Sequence, residues 1–98
     1  MDDTTLTSLK RFVNIADRSG QNNYDWAAEI YAVEKDHVCV RFYDTDIVDK
    51  DEQMETSCTG KLSIHSDTLM AWQTDEDEEP IIFSNRPWIL VAITYAGP

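Results

Sequence analysis

Basic residues are scarce in this 98-residue chain: eight Lys and Arg stand against 19 Asp and Glu, a formal charge of −11 at pH 7. Such a balance disfavours direct binding to nucleic acid or to an anionic membrane surface, because the net field repels every phosphate approached. Glycine is equally sparse. Gly20, Gly60 and Gly97 lie far apart, and no glycine-rich turn precedes a Lys-Ser or Lys-Thr pair, so a phosphate-cradling loop is absent. There are two cysteines, Cys39 and Cys58, neither with a Cys or His partner at zinc-site spacing. With nothing that indicates export, free thiols are expected. The segment after Met1, Asp2-Asp3-Thr4-Thr5, has neither the basic start nor the apolar stretch of a secretory signal. The longest apolar run, Trp88-Ile89-Leu90-Val91-Ala92-Ile93, suits a strand and falls far short of the roughly 20 residues that span a bilayer. The expectation is an intracellular protein, cytoplasmic or nuclear, with no membrane partner.

What is present points to a folded chain. Hydrophobic residues make up 42% of the sequence, and three Trp, four Tyr and three Phe supply packing groups that disordered acidic tails lack. The length fits one domain, residues 1–98, burying about 60–65% of the surface that the unfolded chain exposes.

Along the chain, Leu6, Leu9, Val13 and Ala16 recur at near-helical spacing, with Thr5 or Asp3 as a cap, while Phe12-Val13-Asn14-Ile15 also reads as a strand. The reading taken is a short N-terminal helix or extended arm that leads into a strand over 11–16. Ser19-Gly20-Gln21-Asn22-Asn23 then forms a solvent-facing loop within 17–25. Residues 26–43 alternate twice around Glu34-Lys35-Asp36-His37, predicting a β-hairpin with Ile30, Val38, Val40 and Phe42 inward and Glu29, Arg41 and Tyr43 outward. A helix over 26–35 is the rival, given Ala27-Ala28-Glu29. Further strands are expected at 58–65, around Leu69-Met70-Ala71-Trp72, at Ile81-Ile82-Phe83 and at 88–95. Acidic loops are expected at 44–55 and 75–79. The fold class that follows is all-β: a small SH3-like barrel or compact sandwich with extra C-terminal strands.

Trp26-Ala27-Ala28-Glu29-Ile30-Tyr31-Ala32-Val33, followed by Val38-Cys39-Val40-Arg41-Phe42-Tyr43-Asp44, resembles the central strands of a Tudor or related SH3-like barrel domain. The resemblance covers residues 11–60. It implies a closed barrel and, by position, two walls of an aromatic cage for a methylated cation, Trp26 and Phe42. The family's third aromatic is replaced by Thr45, and Ala16 holds the first-strand wall position. Tyr24, Tyr31 or Tyr43 would have to supply the missing faces.

Catalysis has little support, because His37 and His65 have no nearby Cys, Asp or Ser arrangement that stands out. Asp44, Asp46, Asp49 and Asp51 resemble a calcium loop only superficially. Counting from Asp44, the sixth position is Asp49 where glycine is needed, and the seventh is Lys50. No metal, cofactor or catalytic residue is therefore assigned. The acids themselves are the stronger feature. Asp44, Asp46, Asp49, Asp51, Glu52 and Glu55, with Asp75, Glu76, Asp77, Glu78 and Glu79, make 11 of the 19.

The expected function is a non-enzymatic interaction module. It would bind a basic protein surface or peptide through those loops and an aromatic patch of Trp26, Phe42 and Tyr43. One alternative is an inhibitor that imitates nucleic acid in the cationic groove of a DNA- or RNA-binding protein. Another is a structural subunit that forms a homodimer through the C-terminal strand. Trp72, Trp88 and Tyr95 are candidate interface anchors, although their strand-like neighbours favour core packing.

Overall fold

The computed structural model describes residues 1–24, 26–76 and 78–95, with the side chains of all of these except 19–24, 88 and 95. Its elements run α1 (Asp3–Tyr24), β1 (Trp26–Val33), β2 (Val38–Asp44), α2 (Lys50–Glu55), β3 (Cys58–Ile64), β4 (Leu69–Thr74), β5 (Ile81–Ser84) and α3 (Pro87–Tyr95). The five strands form one antiparallel sheet in the order β1-β2-β3-β4-β5. β1 and β5 are its two edges, so the sheet is open. The expectation of an all-β barrel or sandwich is therefore corrected to a mixed α/β fold, and the Tudor resemblance does not extend to architecture.

Helices α1 and α3 do the work that barrel closure would have done. Leu9, Phe12, Val13 and Ala16 fall on one helical stripe of α1 and are buried against Val38, Val40, Phe42, Leu62, Met70, Trp72 and Phe83 on the inner sheet face. The alternative strand over 11–16 fails on the same residues. A strand would put consecutive Phe12 and Val13 on opposite faces, whereas both are buried while Asn14 and Ile15 are exposed. Asp2, rather than Thr5 or Asp3, caps α1: its carboxylate accepts the Thr5 backbone N–H at 2.7 Å. That hydrogen bond holds the Asp2 carboxyl below the usual carboxylate range. The helix continues through 19–24, where a loop is expected from sequence. Once a helix is nucleated, each added residue gains a backbone bond, so local turn formers do not by themselves stop it.

The C-terminal segment departs furthest from expectation. Its β-branched residues favour a strand, yet Pro87–Tyr95 is helix α3. Pro87 sits at the first helical position, where its fixed φ is already suitable and its missing N–H costs nothing. Leu90, Val91 and Thr94 are buried while Ala92 is exposed, a helical spacing that places α3 against α1. The segment expected to supply the strand of a homodimer edge is thus helical. The side chains of Trp88 and Tyr95 lie outside the described residues, and Trp72 is a core residue.

The hairpin is as expected, and the rival helix over 26–35 is not formed. One feature of it escapes alternation. The register shifts between Ile30 and Ala32, so that Ala32 pairs with Cys39 and Val33 with Val38. This bulge leaves Tyr31 on the outer face, under the Arg41 guanidinium at 4.6 Å from its ring centroid. Gly60 on β3 is required by close approach: a Cβ there would lie 2.6 Å from the Gln73 carbonyl oxygen and 2.8 Å from the Trp72 ring. Trp72, fully buried, meets Phe42 edge-on with centroids 5.7 Å apart.

Candidate functional site: an acidic end of the sheet

An antiparallel meander sends alternate connections to opposite ends of the sheet. The β2–β3 connection, residues 45–57, and the β4–β5 connection, residues 75–80, therefore leave from the same end. The β1–β2 and β3–β4 turns leave from the other. Both acidic segments are thus brought to one end, and a specific contact ties them. The Thr59 hydroxyl donates to the Asp75 carboxylate, and the Asp75 backbone N–H donates to the Thr59 carbonyl at 3.3 Å. Thr59 stands at the start of β3, just past the first acidic segment. Nothing in the sequence distinguishes it, because the pairing of β3 with β4 is what brings it to Asp75.

Within the first segment the acids build local structure, correcting the expectation of a plain loop at 44–55. Asp49 caps α2, its carboxylate accepting the N–H groups of Asp51 at 2.9 Å and Glu52 at 3.2 Å. Asp51 and Glu52 occupy the first turn, where the positive end of the helix dipole offsets their mutual repulsion. Glu55 is the last residue of α2 and is exposed. Asp44 ends β2, and its carboxylate accepts the Asp46 N–H at 2.9 Å. Gln53 then pins the loop, donating to the carbonyls of Asp44 and Ile47, each at 3.1 Å. Gln53 went unnoticed in the sequence, since a glutamine among acids carries no pattern. In the second segment Glu76, Glu78 and Glu79 are exposed, and Gln73 donates to the Glu78 carbonyl at 3.1 Å. Asp77 lies outside the described residues.

The aromatic patch is not formed. Phe42 is 2% exposed in the core, on the inner face of β2, while Tyr43 points from the outer face. Trp26 packs partly buried at the margin of the core. Adjacent strand residues face opposite sides, so Phe42 and Tyr43 are excluded from a shared surface by the same alternation that makes the hairpin. A methyl-cation cage built on Trp26 and Phe42 is overturned with it. Tyr24, offered as a missing cage wall, has its side chain outside the described residues.

The outer sheet face around Tyr43 carries its own network. Arg41 pairs with Glu29 at 3.2 Å and covers Tyr31. Burial, with Glu29 and Asp17 nearby, pushes the Tyr43 phenol up from its ordinary value. Asp17 of α1 reaches the β1 edge, where its carboxylate accepts the Ala28 N–H at 2.6 Å. It thereby occupies an edge donor that would otherwise be open to another strand. Cys39 lies on the outer face and Cys58 on the inner, and neither forms a disulfide. Burial, aided by Glu34 and Asp75, raises the Cys39 thiol, keeping it protonated and weakly nucleophilic at neutral pH.

Among the described residues no three of His, Cys, Asp and Glu are placed to hold a metal ion. Among them, too, no helix is long and apolar enough to cross a membrane. Comparison of the chain with protein-family models, with curated proteins and with solved structures finds no match. The site is therefore read from its geometry and charge alone.

Proposed function

We propose that the chain is a non-enzymatic interaction module whose acidic sheet end docks against a basic protein surface. The observation that carries this reading is the shared origin of the two acidic connections, tied by Thr59 and Asp75. Residues 44–55 and 75–79 hold eleven acids and a single base, Lys50. Single exposed ion pairs contribute only about 0–1 kcal/mol, so no one carboxylate would dominate. Many like charges on one end act together: they steer a cationic partner into encounter and reject anionic surfaces. The capped α2 holds part of the first segment and the Asp75–Thr59 bond the start of the second, which lowers the ordering cost of docking.

The test uses octalysine as the basic probe. Replacing Asp51, Glu55, Glu76, Glu78 and Glu79 by their amides should weaken its binding at least about tenfold and flatten its salt dependence. A control chain loses the same number of charges elsewhere, at Asp3, Glu34, Asp36, Asp67 and Glu29, and should weaken only about twofold. Equal losses in the two chains would show that net charge, and not the acidic end, is responsible, and would sink the proposal.

A further inference from the structure

The outer sheet face holds a second site, far from the acidic loops in chemistry. A groove of about 280 Å³ lies across β3 and β4 beside the β1–β2 turn, with His37, Lys61, Ser63 and Gln73 along it. That volume falls just below the range for drug-sized ligands, about 300–1,000 Å³, and suits a smaller molecule.

Three observations point to what it would take. First, the Asp36 carboxylate lies 2.7 Å from His37 Nδ1. That contact orients the imidazole at one end of the groove. The same bond holds the Asp36 carboxyl below its usual range, so Asp36 stays negative at that end of the groove and limits the charge that a ligand can carry. Second, among the described residues the Lys61 ammonium and the Ser63 hydroxyl have no hydrogen-bond or ion-pair partner, in a chain with 19 acids. They stand two residues apart on β3 and so project from one face of the strand. Third, Ala71 and Pro80 give the groove an apolar wall, and the bond from Gln73 to the Glu78 carbonyl holds the connection that carries Pro80.

We propose that this groove binds the carboxylate of a small, singly charged organic acid. Lys61 and Ser63 donate to the carboxylate, and the short apolar body lies against Ala71 and Pro80. The surrounding field sets the charge limit. Glu34 and Asp75 are near enough to act on Cys39, which pairs with Lys61 across the strands, and they disfavour a second negative charge on the ligand. Polyphosphates and nucleic acid are excluded on this ground.

The test is a titration of the whole chain with butyrate at constant ionic strength, followed by amide chemical shifts. Saturable shifts centred on His37, Lys61 and Ser63 are expected. Lys61→Gln, a surface replacement whose spectrum should otherwise match the parent, should weaken binding about tenfold or more, as loss of a charge-assisted hydrogen bond implies. Ser63→Ala should weaken it less. Inorganic phosphate should bind more weakly than butyrate, and butylamine should leave these amides unmoved. Shifts that do not saturate, that persist unchanged in Lys61→Gln, or that butylamine or phosphate reproduces with equal or greater affinity would overturn the assignment.

Discussion

Phe42 and Tyr43 leave β2 on opposite faces, and the difference in their surroundings should be measurable. Phe42→Ala removes a fully enclosed ring from contact with Trp72 and should lower stability by about 3–5 kcal/mol in urea denaturation. Tyr43→Ala opens no interior cavity and should cost about 1 kcal/mol. Similar costs for the two would mean that β2 is not oriented as described. The inward set Val38, Val40 and Phe42 was legible in sequence because a strand with one wet face must alternate. The bulge at Tyr31 was not, since the alternation of residues 26–33 runs through it unbroken and only the pairing with β2 shows the shift. Gly60 was equally silent: its meaning comes from Trp72 and Gln73, more than ten residues away in the chain.

At the scale of elements, the six-residue helix α2 is too short to persist without its cap. Asp49→Ala should cost about 1 kcal/mol locally, seen as roughly fivefold faster hydrogen exchange in α2 amides with strand amides unchanged. Unchanged exchange in α2 would show that Gln53 alone holds the segment. The sequence showed its acids as mutual repulsion, although three of them sit where a helix start stabilises negative charge. Helix α3 was misread for a complementary reason. Ile89, Val91, Ile93 and Thr94 carry strand preference, and only the facing stripe of α1 supplies a surface on which Leu90, Val91 and Thr94 are buried together as a helix. Such a partner is visible only after the chain has folded.

For the molecule as a whole, the uncovered outer sheet face gives a pH response. Tyr31, Cys39 and Tyr43 are all raised, chiefly by burial, above ordinary values of 10.0, 9.0 and 10.0. The folded chain therefore holds these protons more tightly than the unfolded chain. Their contribution is complete below pH 9 and is lost as pH rises through the folded values. The urea midpoint should fall as pH rises above about 9, and fall less in a Tyr43→Phe, Cys39→Ser double variant. Identical alkaline losses in parent and variant would assign the response to other groups. The sequence by itself determined the hairpin, most of the inward residues and the concentration of negative charge in two segments. Those are local matters of period, propensity and composition. Only the tertiary structure decided that the sheet stays open beneath two helices and that both acidic segments share one end. It alone also set Lys61 and Ser63 beside His37. Closure, helix docking and strand order depend on contacts between residues distant in sequence, and no local pattern encodes them.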